Sequence, residues 1–393
     1  MDQDLIAVVG GGVTGSAVAV HLADRGARPV VIDAEPVRGR QTAPSFGAIS
    51  GFGRRSPSQY QAACVALALW PAFARRLGPG IGFRRGGEVR WASQPEEAAT
   101  LASGVAEAER LGYPIRTITA SQLGDLLPGV RPGAVQVASW AWHDAQVEPD
   151  RLVAACHAAL DAAGVRRIAG EVARLGLDDD GPYLAVGEEL LRPSTVVLAA
   201  GAASPLVTAA LGLELPTVAS PGRLIVTDPV APIGDRVVYP PSGPGPAVHL
   251  RQRLDGTVLV GEGSQETVTT DLSMRRAREV VRQAAQFFPA LAEARPKRLL
   301  LGWRPMPADR QPMIGRLPGL PWLYVALVPT AVTLAPVVGR LVAEQLVDGA
   351  PDGAPDPLLD PFRPLRFADP TLDVMASVET VLRHPGRGRV RRD

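Results

Sequence analysis

The chain has 393 residues, 46% of them apolar, with 41 basic against 40 acidic side chains. That length and apolar content suit two interlocked domains with a large core, and the balanced charge excludes a general electrostatic attraction to nucleic acid or anionic membrane. Two cysteines, Cys64 and Cys156, without a CxxC or a metal-like His/Cys spacing, exclude a disulfide framework and a zinc site.

The opening Met1-Asp2-Gln3-Asp4 lacks the basic stretch of a signal peptide, and no apolar run approaches the ~20 residues that span a bilayer. The expectation is therefore a reduced, soluble, cytoplasmic protein. Leu5 to Val9 is a continuous apolar run that suits a strand buried on both faces of a parallel sheet. Gly10-Gly11-Gly12-Val13-Thr14-Gly15 follows, then a helical pattern from Ser16 to Arg25 with Gly26 at the C-cap position. Pro29 to Asp33 is a second buried strand.

Helical patterns cover Ser58 to Leu77 and Pro95 to Leu111. The run from Glu171-Val172 to Val186, with its Asp178-Asp179-Asp180-Gly181 turn, predicts a hairpin. Leu190 to Ala200 is an apolar strand ending in Ala199-Ala200-Gly201. From Val218 to Glu262 the composition turns β-like, with a hairpin turn at Leu254-Asp255-Gly256-Thr257. Leu323 to Leu327 predicts a strand and Thr333 to Val347 a closing amphipathic helix. The tail from about Ser377 is rich in arginine and glycine and is expected to be loose. Strand-helix-strand pieces at the start, middle and end, with β-rich inserts between them, predict an α/β fold: one discontinuous nucleotide-binding domain and one inserted substrate domain.

Gly10-x-Gly12-x-x-Gly15 between a strand and a helix is a dinucleotide fingerprint. Gly10 permits the tight turn, Gly12 the approach of a pyrophosphate, and Gly15 close packing of helix on strand. The helix N-terminus then faces the anion, and Asp33 at the end of the next strand can accept ribose hydroxyls. An aspartate at this position fits either NAD or FAD.

The rest of the chain separates them by resemblance. Val196 to Ser204, with Ala200 and Gly201, resembles the second flavin-contacting strand and turn of the D-amino-acid oxidase superfamily. Gly302-Trp303-Arg304-Pro305, followed by Asp309 and Pro312-Met313-Ile314-Gly315, is similar to that family's G-x-R-P…D-x-x-P-x-I-G block. Thr333-Leu334-Ala335-Pro336-Val337-Val338-Gly339-Arg340-Leu341 resembles the helix start beneath the flavin ring, and Ser45-Phe46-Gly47 through Tyr60 is similar to one branch of the family. The matches span most of residues 5 to 347.

The resemblance implies a Rossmann-type FAD-binding domain over residues 1–80, 150–215 and 300–350, with an inserted antiparallel-sheet substrate domain over 81–149 and 216–299. It implies non-covalent FAD held by Gly10, Gly12, Val13, Thr14, Gly15, Asp33, Ala34, Val172, Ala200, Gly201, Ala331, Val332, Thr333 and Leu334. The closing helix would aim its positive end at the pyrimidine edge of the flavin. The expected reaction is oxidation of an amine or amino acid, with hydride passing from Cα to the flavin and O₂ or a carrier as final acceptor. Arg304 aligns with the family arginine that binds the substrate carboxylate. Tyr239 and His249, on the segment expected to roof the flavin, are further candidates.

The pattern departs from the family at Leu327-Val328-Pro329-Thr330-Ala331-Val332, where members carry a Gly/His-rich loop; Pro329 has no N–H to donate. Neither cysteine falls in the Gly302–Gly315 block, near which covalent members attach the flavin. Lys297, the only lysine, has no clear position over the ring. Arg54 and Arg55 read as a solvated pair, with a grip on phosphate or a carboxylate as the lesser alternative, and Trp140, Trp142 and His143 as an apolar packing cluster, with a pocket lining as the alternative. Two alternatives stay open: a 2-hydroxy acid oxidoreductase, which would need a base such as His249, and a flavin-binding subunit of a larger complex.

Overall fold

The first apolar run forms the strand Ile6–Val9 in a six-stranded sheet. In the computed structural model, which describes residues 5–34, 44–242, 247–263, 271–349 and 356–368, the strand order is Met313–Leu317, Leu320–Leu327, Thr195–Leu198, Ile6–Val9, Val30–Asp33, Arg166–Ala169. All neighbours are parallel except the first pair. Side chains alternate across this sheet. Ile6 and Val8 face a core shared with helices Val13–Asp24, Pro57–Leu77, Pro149–Ala162 and Ala331–Val347. Ala7 and Val9 face a second core, closed by Leu175, Leu184 and Leu191 of a three-stranded sheet. Burial on both faces explains why these strands read as unbroken apolar runs.

The helices Val13–Asp24 and Ala331–Val347 pack tightly because their contact is built from small residues. A Cβ on Gly339 would lie 2.8 Å from the Ala17 carbonyl oxygen. Among the described residues no helix is long and apolar enough to cross a membrane.

An eight-stranded sheet stands over the carboxyl end of the first. Its order is Pro296–Pro307, Thr217–Pro229, Thr257–Glu262, Val248–Gln252, Val237–Tyr239, Glu88–Ala92, Val137–Ala141, Ile115–Ile118. Pairing is antiparallel except between Val237–Tyr239 and Glu88–Ala92. Val89, Trp91, Val238, Val248, Leu250 and Val260 turn into a separate core beneath the helix Met274–Ala285. By the two-residue period, Arg90, Tyr239 and His249 turn the other way.

Three expectations about elements need correction. Leu190 to Ala200 is two strands: Glu189–Leu191 completes the three-stranded sheet and Thr195–Leu198 joins the parallel one. Pro193, which lies between them, cannot donate to a ladder. The first helix starts at Val13, inside the glycine motif, and the closing helix at Ala331. The Arg- and Gly-rich tail lies outside the described residues.

Candidate active site

The chain leaves the central strand at Gly10, whose φ of 111° belongs to the region that favours glycine, and whose Cβ would meet the Ala199 carbonyl oxygen at 2.5 Å. The turn is tied down on three sides. Gly10 N–H donates to the Ile32 carbonyl at 2.7 Å, the Asp33 carboxylate accepts from Gly11 N–H, and Ser16 Oγ and His157 Nε2 meet the Gly11 carbonyl at 2.8 and 2.9 Å. The first intrahelical bond runs from Ser16 N–H to the Gly12 carbonyl at 2.9 Å, so Thr14 and Gly15 N–H have no acceptor within the helix. This positive end opens at the carboxyl edge of the parallel sheet, where such folds bind nucleotides.

The closing helix opens on the same space. Its first bond is Leu334 N–H to the Thr330 carbonyl at 3.1 Å, leaving Ala331, Val332 and Thr333 N–H without an intrahelical acceptor. Two contacts fix this end. Thr333 Oγ1 donates to the Ser50 carbonyl at 3.1 Å and accepts from Ser50 N–H at 3.2 Å, while Trp70 Nε1 donates to the Thr333 carbonyl at 2.9 Å. Val328, Pro329 and Thr330 line the space, so the proline replaces a donor there without displacing the helix end.

The eight-stranded sheet forms the roof. Tyr239 and His249 stack with ring centroids 5.3 Å apart, Phe46 meets His249 edge-on at 4.6 Å, and the Arg90 guanidinium lies 3.8 Å from the Tyr239 ring centre. Burial, with Arg304 and Arg90 nearby, lowers the His249 pKa to about 3, so the ring is neutral. Burial also raises the Tyr239 phenol. The Arg304 Nη2 donates to the Pro221 carbonyl at 3.0 Å, and burial lowers its pKa to about 10. It has no carboxylate partner among the described residues; Asp309, close to it in sequence, pairs with Arg366 at 2.6 Å.

One cavity of about 740 Å³ joins these features, within the range of small-molecule sites. Its wall includes Gly10, Gly12, Val13, Thr14, Asp33, Ala34, Val172, Ala200, Gly201, Ala331, Val332 and Thr333, together with Arg304, Tyr239 and His249. Two expected residues stand behind it. A Cβ on Gly15 would overlap the Gly10 carbonyl oxygen, and Leu334 packs into the helical core. Lys297 is exposed near the start of the roof strand that carries Arg304, and neither cysteine lines the cavity. Trp140, Trp142 and His143 also lie off the wall; the Arg116 guanidinium sits within 6 Å of both tryptophan rings.

Arg54 is the main correction. Rather than a solvated side chain, it lines the cavity, donates to the Ser50 carbonyl, and is enclosed enough that desolvation lowers its pKa. Its neighbour Arg55 is more exposed and also borders the cavity. Behind Arg54 lie groups with little signal in the sequence. Arg90 pairs with Glu88 at 2.7 Å, Tyr113 donates to Asp144, and Gly51 N–H donates to the Tyr113 oxygen at 2.6 Å. Burial and the nearby Glu88 raise the Asp144 carboxyl well above its ordinary range. The only signal for these residues is a polar side chain alternating with apolar ones in Glu88-Val89-Arg90-Trp91, which ordinary surface strands also give.

A glycine turn at a helix N-terminus, an aspartate on the next strand and a second helix end across one cavity define a dinucleotide-dependent redox protein. The chain belongs to the FAD dependent oxidoreductase (DAO) family, whose model matches residues 6–345. It is 25% identical over 358 residues to an opine oxidase subunit of Agrobacterium tumefaciens (strain Ach5), covering 87% of this chain and 93% of that one. It is 27% identical over 350 residues to glycine oxidase of Geobacillus kaustophilus (strain HTA426), covering 86% and 92%. The crystal structure of glycine oxidase from Geobacillus kaustophilus superposes with a TM-score of 0.79 at 25% identity, over 91% of this chain and 97% of that one. The chain is an FAD-dependent oxidoreductase.

Proposed function

We propose that this enzyme oxidises the C–N bond of an amine or amino acid that carries a carboxylate. The observation that carries the reading is Arg304, a cation set into the cavity wall with one backbone carbonyl as its hydrogen-bond acceptor. A buried arginine without a counter-ion is costly, and a substrate carboxylate relieves that cost with two parallel hydrogen bonds. FAD held in this cavity would supply the two-electron acceptor for the hydride on the substrate carbon, so that the amine would become an imine for water to hydrolyse.

The chain's own residues bind and orient. Gly10, Gly12, Val13, Thr14 and Asp33 would hold the nucleotide half, with Ala34, Val172, Ala200 and Gly201 beside it. Ala331, Val332 and Thr333 would direct N–H groups at the flavin, with Gly15 and Leu334 supporting from behind. Tyr239 and His249 would cover the reacting carbon and exclude water. With a pKa of about 3, His249 is too weak a base to take the proton of an alcohol, which favours an amine over a 2-hydroxy acid. The same reading assigns residues 1–80, 150–215 and 300–350 to the flavin domain and 81–149 and 216–299 to the substrate domain. The final acceptor is O₂ or a carrier. The likeness to a protein named as an oxidase subunit supports, as a second reading, a subunit that passes its electrons to a partner.

The test is anaerobic titration of the yellow protein with glycine, N-methyl amino acids and D- and L-amino acids. One class should bleach the flavin, and Arg304→Ala should weaken that substrate on the order of 100-fold. An unchanged dissociation constant in Arg304→Ala would refute the assignment of this arginine.

A further inference from the structure

Arg304 is not alone in lacking an anion. The buried Arg251 has Glu148 at 3.1 Å, and Arg90 and Arg223 of the cavity wall have Glu88 and Glu262. Arg54 lines that cavity too, and among the described residues its one hydrogen bond goes to the Ser50 carbonyl, with no carboxylate in ion-pair range. The acids behind it form no ion pair with it. Glu88 is engaged by Arg90, and Asp144 accepts the Tyr113 hydroxyl, with burial and the nearby Glu88 raising its carboxyl well above the ordinary range. Arg54 therefore stands at the cavity wall with no carboxylate paired to it among the described residues.

The two arginines sit at different places. Arg54 feels the charges of Tyr113, Asp144, Glu88 and Tyr239, while His249 feels those of Arg304 and Arg90. The Tyr239–His249 stack, 5.3 Å from centroid to centroid, borders the same cavity. Each is anchored by a carbonyl of a different segment, Ser50 beside the flavin-side helix end and Pro221 in the roof. A single carboxylate can satisfy one such fork, and the other guanidinium would then remain buried without an anion.

We propose that Arg304 and Arg54 bind the two carboxylates of one substrate, an amine that carries two acid groups, with the reacting C–N bond held beneath the Tyr239–His249 stack. This rests on the amine-oxidation reading for the chemistry, but the two-carboxylate site itself can be tested without turnover. A substrate with one carboxylate leaves Arg54 desolvated and unpaired, so it binds more weakly and is oxidised less efficiently.

The probes are diglycolate, in which an ether oxygen replaces the amine between two carboxylates, and methoxyacetate, its counterpart with one. Neither can be oxidised at a C–N bond, so affinity is read by calorimetry and by perturbation of the flavin spectrum of the holoenzyme. Diglycolate should bind at least ~30-fold more tightly than methoxyacetate, and in Arg54→Gln that ratio should fall to about 3 or less, with Arg54→Lys between. Equal affinities in the wild-type enzyme, or an Arg54→Gln change that weakens both probes alike, would overturn the proposal. The wild-type ratio decides the matter even where a variant fails to hold flavin. Flavin reduction by iminodiacetate or by aspartate then shows whether the second acid lies across the nitrogen or along the carbon chain. If diglycolate binds as expected but neither these amines nor any amino acid of the wider panel reduces the flavin, the two-carboxylate site stands and the amine-oxidation reading falls.

Discussion

Glycines do different work at the two ends of the cavity. At the nucleotide end Gly10 and Gly15 meet backbone: a Cβ on Gly10 would lie 2.5 Å from the Ala199 carbonyl oxygen, and one on Gly15 would overlap the Gly10 carbonyl. At the roof Gly222 and Gly261 meet the tips of polar side chains. A Cβ on Gly222 would lie 2.7 Å from the Arg304 Nη2, and one on Gly261 would overlap the His249 imidazole. Backbone at the crossing of a strand and a helix cannot move without moving the sheet, whereas a guanidinium can swing away. The first set of glycines therefore fixes the fold and the cofactor site together, and the second fixes only where the chemistry points.

That contrast can be broken by substitution. Gly15→Val should have the largest effect, costing about 3 kcal/mol or more because the helix must lift off the strand. The expected product is a colourless, less stable protein, measured by flavin absorbance and thermal unfolding. A yellow protein of normal stability would mean that the close contact of helix and turn is dispensable. Gly222→Ala should act at the other end alone. With only the end of Arg304 to displace, it should leave flavin content and melting temperature near those of the wild type. Carboxylate binding should weaken about tenfold, or ~1.4 kcal/mol. A matching fall in stability would show that Gly222 is as structural as Gly15.

The same contrast explains what the sequence discloses. At the nucleotide end, strand, turn, helix and acid are contiguous from Leu5 to Asp33, and each local preference agrees with the global fold. The roof is assembled from segments distant in the chain: Arg54 from a loop, Arg90, Tyr239 and His249 from three strands, and Arg304 from a fourth. Arg304 is legible only because it sits in a recognisable block. Arg54 is not, since Arg54-Arg55 reads as surface until Ser50 is tied to Thr333 and the loop is set against the cavity wall. The break of Leu190–Ala200 into two strands is legible at Pro193 in principle, but the apolar run on either side outweighs it.

The smallest expected effect concerns His249 and pH. Its folded pKa of about 3 lies below the ordinary 6.5, because burial and the nearby Arg304 and Arg90 disfavour the cation. Below pH 6.5 the unfolded chain therefore binds a proton that the folded ring refuses. Stability is complete above 6.5 and declines as pH falls through the window toward 3. Between pH 7 and 5.5 this histidine alone should remove about 1 kcal/mol from the unfolding free energy. His249→Gln should fold with a correspondingly flatter profile over that interval, measured by denaturant titration at both pH values. His21, lowered by burial to about 4, titrates in the same window in both proteins, so the difference between the profiles isolates His249. Parallel profiles would mean that water or a neighbouring group stabilises the imidazolium inside the folded roof. The ring could then serve as a base, and the argument that favours an amine over a 2-hydroxy acid would lose its footing.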